Sequence, residues 1–345
     1  MSRIWCQSVV ILLLAGCSGA PVTTERPPGP SLSTEEESQL TGEVLFEGMC
    51  DASGAVALSA TRLIAADDED NVLRVYDADR GGAPLSSVDI SEAVGVPLKG
   101  KRNPRYPEVD LEAATRLADH AYWLSSHGRN KKGKLKDERL KFFATTIAEH
   151  GDDIEVLGTY DYLLDDLLSD ARYDAFELDV AAELPPKAPG GLNIEGMTAA
   201  VEGGVLIGFR NPVPDGLALV VPLVNPEAIV DDPEGTGARF GDPIRLALGG
   251  QGIRSLSWWR GRYLIIAGDY GEGGVSSVYT WDGQSQPERV DVDLAGYNPE
   301  GFFSPEDRDE ILLLSDDGSV VIDDVPCKEL EDHERRAFRG RWLRL

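Results

Sequence analysis

The chain has 345 residues, which at roughly 150 residues per domain suits two domains or one large all-β unit. It is 42% hydrophobic, enough for a sizeable core, which argues against wholesale disorder. Its 60 acidic side chains against 33 basic ones give a net charge of −27, which argues against nucleic-acid binding, a function that needs a basic footprint.

The N-terminus predicts export and anchoring. Arg3 supplies a positive charge, and residues 9–14 form an apolar run too short to span a bilayer. The run ends in Leu14-Ala15-Gly16-Cys17, which resembles a bacterial lipobox. On the lipoprotein pattern residues 1–17 are the signal, and Cys17 carries acyl chains that hold the protein on a membrane. Ser18 stands where an inner-membrane retention signal would have Asp, so the expectation is the outer membrane of a bacterial envelope, facing the periplasm. Residues 18–40 are rich in Pro, Ser, Thr and Glu and read as a flexible tether, leaving 41–345 as the folded domain. Cys6 leaves with the signal. Cys50 and Cys327 remain, one at each end of the folded region, and in an oxidising compartment an isolated pair tends to form a disulfide; two buried free thiols are the other reading.

The rest of the chain repeats. Five segments align: CDASGAVAL (50–58), VDLEAATRL (109–117), LNIEGMTAA (192–200), GIRSLSWWR (252–260) and YNPEGFFSP (297–305). An apolar run follows each, at 62–67, 121–126, 204–209, 263–269 and 311–316. Third runs (72–77, 140–147, 217–224, 277–283) and weaker fourth runs (85–90, 155–160, 244–248, 289–294) follow the first four. Short strands at even spacing between Gly, Asp and Asn turns predict an all-β fold, a β-propeller of about five to six four-stranded blades. The last repeat has strand runs at 310–315 and 319–323 and lacks outer partners, which residues 41–48 and 339–345 can supply, so that both termini close the ring. Residues 161–189, with YDYLLDDLLSDARY at their start, predict a helix of about three turns or a degenerate sixth blade.

In such a ring the starts of first strands and the ends of second strands meet at one mouth of the central channel. Polar residues gather there: Asp51, Asp110, Glu112, Asn193, Glu195, Asn298 and Glu300 at strand starts, with Asp67–Asp70, His127, Arg129, Arg210, Asp269 and Asp316 at strand ends. Like charges at equivalent places on a ring raise one another's pKa and need a cation, an arginine or water. Glu112, Glu195 and Glu300, with Asp110 and Asp269, are therefore candidate ligands for Ca²⁺, which takes six to eight oxygens. Arg129, Arg210, Arg254, Asn193 and Asn298 are candidate ligand-binding residues, and His127 a candidate proton relay. A polar channel in which Glu and Arg simply pair is the plainer reading. DDEDN (67–71) lacks the Gly and terminal Glu of an EF-hand loop and reads as a turn of solvated acids. No GxSxG, P-loop or GxGxxG is present. Residues 99–141 hold 12 Lys/Arg and 6 Asp/Glu, a basic lip over the acidic mouth that would steer an anionic ligand.

LNIEGM (192–197), GFRNP (208–212), DLEAA (110–114), SSHGRN (125–130) and YNPEGF (297–302), with DDEDNVLRVYD (67–77), resemble an uncharacterised bacterial family, domain of unknown function 3616. More distantly, the repeated [DN]-x-E-G before an apolar strand resembles phytase-like, esterase-like propellers, which would imply Ca²⁺ and phosphoester chemistry; segments 51–53 and 253–255 depart from it by lacking the Glu. Two functions follow as expectations. One is a monomeric, lipid-anchored envelope propeller that binds a small anionic ligand or an envelope protein at its mouth. The other is a Ca²⁺-dependent phosphoesterase- or lactonase-like hydrolase that uses the same acids and arginines.

Overall fold

Period-two runs punctuated by Gly, Asp and Asn build strands whose alternate residues reach the core, as in Gly54–Ser59. The computed structural model describes residues 39–147, 154–271 and 274–345; the expected signal, nearly all of the expected tether, and Cys17 with them, lie outside the described residues. Strand β1 (Gln39–Glu47) comes first but belongs to the last sheet. Four sheets then form in chain order. The first is β2 (Gly54–Ser59), β3 (Arg62–Ala66), β4 (Val72–Asp77) and β5 (Ser86–Asp89). The second is β6 (Leu111–Leu117), β7 (His120–Ser125), β8 (Phe142–Thr146) and β9 (Val156–Tyr160). The third is β10 (Asn193–Ala199), β11 (Val205–Asn211), β12 (Ala218–Leu223) and β13 (Ile244–Leu246). The fourth is β14 (Gly252–Trp259), β15 (Arg262–Gly268), β16 (Ser277–Trp281) and β17 (Glu288–Val290). All four are antiparallel meanders.

The fifth sheet is composite. It runs β18 (Pro299–Phe303), β19 (Glu310–Ser315), β22 (Ala337–Arg344) and β1. The expected strand at 319–323 is not in this blade. It becomes β20 (Val321–Ile322), which pairs only with β21 (Val325–Pro326) in a small hairpin outside the ring. Positive φ at Asp323 and Asp324 turns that hairpin at once. Cys327 follows it and bonds to Cys50, with the two Cα atoms 5.9 Å apart.

The protein is thus a five-bladed β-propeller. Inner strands β2, β6, β10, β14 and β18 neighbour one another in that order, and β18 returns to β2. Five apolar clusters lie between neighbouring blades; the one joining the fifth blade to the first packs Phe46, Tyr76, Phe303 and Phe338. The sequence 161–189 forms no sixth blade and no three-turn helix. It gives α1 (Leu163–Leu168), a 3-10 turn (Ala171–Phe176) and α2 (Leu178–Ala181). The break falls where Ser169 donates its hydroxyl to the Asp165 carbonyl and the Asp170 carboxylate accepts from the Arg172 amide, local bonds that compete with helix continuation. Leu163, Leu164, Leu167 and Tyr173 from this segment pack against blades two and three. A further short helix, α3 (Pro226–Asp231), starts at a proline and packs Ile229 and Val230 into the same cluster.

Candidate functional site

A β-bulge builds the mouth. In four of the five blades the register between the first two strands skips one residue near the start of the inner strand: between Leu111 and Ala113, Ile194 and Gly196, Ile253 and Ser255, and Pro299 and Gly301. The skipped residues are Glu112, Glu195, Arg254 and Glu300. A bulge re-aims the side chain of its unpaired residue, so these four project at equivalent places around the axis. Arg254 is thus the fourth blade's counterpart of the glutamates, a role the sequence alignment gave to Ser255. The glycine after Glu195 and Glu300 has a packing cause. A Cβ on Gly196 would lie 2.7 Å from the Ile253 side chain, and one on Gly301 2.6 Å from the Ala52 carbonyl oxygen. Ser53, Met197, Ser255, Leu256 and Phe302 line a small cavity beside Glu195.

The charges divide into two halves. On the side of blades three to five, arginines meet acids. Arg210 donates to Glu195 at 2.6 Å, and Asn193 donates to the same oxygen at 2.7 Å. Arg210 also donates to the carbonyl oxygen of Asp269. Arg254 pairs with Glu300, lies 3.8 Å from the second Glu195 oxygen, and donates to Asn298 at 2.6 Å. Asn298 in turn donates to Asp316 at 2.8 Å. Burial works against the Arg210 charge, but Glu195 outweighs it and its pKa rises; burial and the facing Arg210 lower that of Arg254 despite Glu195.

Where blades five, one and two meet, acids outnumber arginines. Two carboxylate trios each bring oxygens within 4.8 Å of one another: Asp51–Glu300–Asp316, whose Glu300 also pairs with Arg254, and Asp68–Asp110–Glu112. Asp110, held at a positive φ, accepts from the Ser126 hydroxyl and from Arg139 at 2.8 Å. Asp51 is 7% exposed, and its Oδ1 is buried without a hydrogen-bond partner. Burial first, then neighbouring carboxylates, push the pKa values of Asp51, Asp68 and Glu112 well up. Asp67 rises to about 7 for the same reasons, and Asp110 to about 6, chiefly from burial, which Arg139 only partly offsets.

The remaining candidates stand elsewhere. Arg129 is turned from the mouth and donates to the Ala182 carbonyl at 2.7 Å, the Gly133 carbonyl at 3.2 Å and Glu183 at 2.6 Å. His127 is 2% exposed, its Nδ1 bonds the Ser125 carbonyl at 2.8 Å, and the carboxylate acting on it is Asp161. Burial lowers its pKa to about 4, which makes it a neutral ring rather than a proton donor at neutral pH. Asp269 exposes its side chain and contributes only its carbonyl. The turn 67–71 is not a loop of solvated acids. Asp67 accepts from the Glu69 amide, Asp70 pairs with Arg74, Asn71 ties Ser91 and Pro107 together, and Asp68 joins the mouth. Asp51, Asp68 and Asp316 were visible at the mouth in the sequence, but nothing there separated them from other turn acids.

This clustering gives a pH dependence with a definite sign. An acid whose folded pKa is raised binds its proton more readily in the native state, so its stability contribution is present at low pH and lost as pH rises through the folded value. Asp67 and Asp110 lose theirs between the ordinary carboxylate range and about 7 and 6. His127 acts oppositely, contributing above 6.5 and losing as pH falls towards 4, but it is one group against five acids. Without divalent cations the melting temperature is expected to be higher near pH 5 than near pH 8; calorimetry in chelator checks this.

The family described as Protein of unknown function (DUF3616) matches residues 149–296. The resemblance read from the sequence is to this family; of the strings that carry it, LNIEGM and GFRNP lie inside the match, and those at 67–77, 110–114, 125–130 and 297–302 lie outside it. The match spans the segment before β9, the helical insert and blades three and four, and thus holds Glu195, Arg210 and Arg254. No curated protein matches the chain. Among solved structures, glutaminyl cyclase of Myxococcus xanthus is similar at 12% identity and TM-score 0.46, covering 89% of this chain and 97% of that one. The aldose sugar dehydrogenase of Streptomyces coelicolor, in its PQQ-bound form, is similar at 12% identity and TM-score 0.45, covering 89% and 98%. Virginiamycin B lyase of Staphylococcus aureus is similar at 9% identity and TM-score 0.41, covering 90% and 100%.

Proposed function

We propose that this propeller is a lipid-anchored envelope protein that holds a Ca²⁺ ion in the acidic half of its mouth and binds a small anionic ligand there. The observation that supports it most is the buried, unpartnered Oδ1 of Asp51 inside a set of carboxylates that outnumbers the arginines beside it. Every donor in the two trios is a carboxylate oxygen, a hard set that suits Ca²⁺ and not a soft transition metal. Asp68, Asp110 and Glu112, with Asp51 and Asp316 adjacent, would hold the ion. The ion would relieve carboxylate repulsion and offer open positions to an anionic group. A hydrolytic scheme built on Arg129 and His127 has less support, because Arg129 is held by Ala182 and Glu183 of the helical insert and burial keeps the His127 ring neutral at neutral pH.

Ca²⁺ at about 100 times its Kd is expected to stabilise the fold by about 2.7 kcal/mol, a rise in Tm of roughly 4 °C, and more near pH 8 than near pH 5. Glu112→Gln together with Asp68→Asn should remove most of that rise. If Ca²⁺ gives no shift at either pH, the mouth is a solvated lining and the proposal fails. The anchor is tested separately, after a high-salt wash that releases charge-held protein: Cys17→Ser is expected to leave the membrane fraction, and retention there with undiminished yield would refute lipidation at Cys17.

A further inference from the structure

The two basic segments form a single surface. Residues 99–105 close a small loop, with Lys99 and Arg105 exchanging both backbone hydrogen bonds at 2.9 Å. Residues 130–134 close another, where the Asn130 carboxamide accepts from the Lys132 and Lys134 amides at 3.0 and 2.9 Å. Both are ordered turns. They are joined at Glu138, whose carboxylate takes Lys99 on one oxygen at 3.0 Å and Lys136 on the other at 3.1 Å. Around this junction Lys101, Arg102, Arg105, Lys131, Lys132 and Lys134 are exposed, and among the described residues none has a carboxylate in ion-pair range. Two leucines are exposed at the same place: Leu98 at 55% and Leu135 at 45%, each one residue before a lysine that reaches Glu138.

We propose that this leucine-tipped basic lip docks on an anionic lipid surface, so that the mouth face rests against a bilayer. The proposal is independent of Cys17 and of the Ca²⁺ site. Unpaired cations clustered on a protein of net charge −27 mark a segment complementary to an anionic surface. A soluble anion would use the cations alone, whereas exposed leucines beside cations suit the headgroup boundary, where apolar side chains bury and charges meet phosphates. An acidic protein partner would also use the charges, and the test separates it.

The test uses the full chain carrying Cys17→Ser, so that no acyl chain contributes; residues 1–16 are common to all variants. It should pellet with vesicles of phosphatidylglycerol and phosphatidylcholine and much less with phosphatidylcholine alone, and the difference should shrink with added salt. Reversing four charges (Lys101→Glu, Arg102→Glu, Lys131→Glu, Lys132→Glu) should lower the affinity by more than about tenfold. Leu98→Ser with Leu135→Ser should lower it several-fold at unchanged charge. Equal binding of parent and charge-reversed chain, or equal binding to both vesicle types, overturns the proposal. Loss on charge reversal with no effect of the leucine pair also overturns it, since that is the behaviour of a site for a soluble polyanion or an acidic protein.

Discussion

Arg210→Met is expected to destabilise the protein by about 3–5 kcal/mol, a fall in Tm of roughly 5–8 °C. Arg210 and Glu195 are both nearly dry, at 9% and 5% side-chain exposure. Removing the guanidinium leaves the Glu195 carboxylate with Asn193 at hydrogen-bond distance and Arg254 only at 3.8 Å. A buried charge that loses its partner costs far more than the pair contributed. Glu195→Gln in the same chain should recover much of the loss, because a neutral amide still accepts from Asn193 and leaves no stranded charge. A double-mutant cycle therefore reads the coupling directly, and additive losses would mean that the two side chains do not depend on each other.

Cys50→Ser with Cys327→Ser is expected to cost about 2–4 kcal/mol. The bond spans 277 residues, so in the unfolded chain it restrains a very long loop. In the native state it joins the link between β1 and β2 to the segment leading into β22, and the Asp317 amide donates to the Cys50 carbonyl beside it at 2.9 Å. Asp51 is the next residue, so the same variant should also weaken the Ca²⁺-dependent rise in Tm. Reductant should lower the Tm of the parent towards that of the double variant and leave the variant unchanged. A parent whose melting ignores reductant would show that the bond carries no stability.

Much of this architecture was legible because strands announce themselves locally. The third run VLRVYD coincides with β4, and residues 85–90, 155–160 and 244–248 each contain the outer strand of their blade. The composite blade could be read because β18 and β19 had too few partners and two strand-like ends were left over. Register was harder. Blades two and four pass from first to second strand over the same two residues, 118–119 and 260–261, and on that register Arg254 corresponds to Glu112. In the aligned sequences the fourth blade's second run ends at 269, one residue beyond the counterpart of Ser126, which puts Ser255 there. Side-chain direction was harder still. His127 and Arg129 leave a strand at the mouth, yet His127 takes a positive φ and a bond to the Ser125 carbonyl, and Arg129 is drawn to Ala182 and Glu183 of the 161–189 segment. That insert has no period that would tell a sequence reader where it packs.

The order of strands in the fifth blade also sets a timetable. β22 lies between β19 and β1, with Glu310 and Gln39 both registered on Arg344. During synthesis β1 precedes the rest of the sheet and must wait for nearly the whole chain before β22, its neighbour there, exists. Until then it is an open edge, ready to pair with any strand that offers itself. Deleting the last nine residues would for the same reason remove the middle of a blade, casting off β1 together with the anchorage that Phe338 and Trp342 give to the first blade.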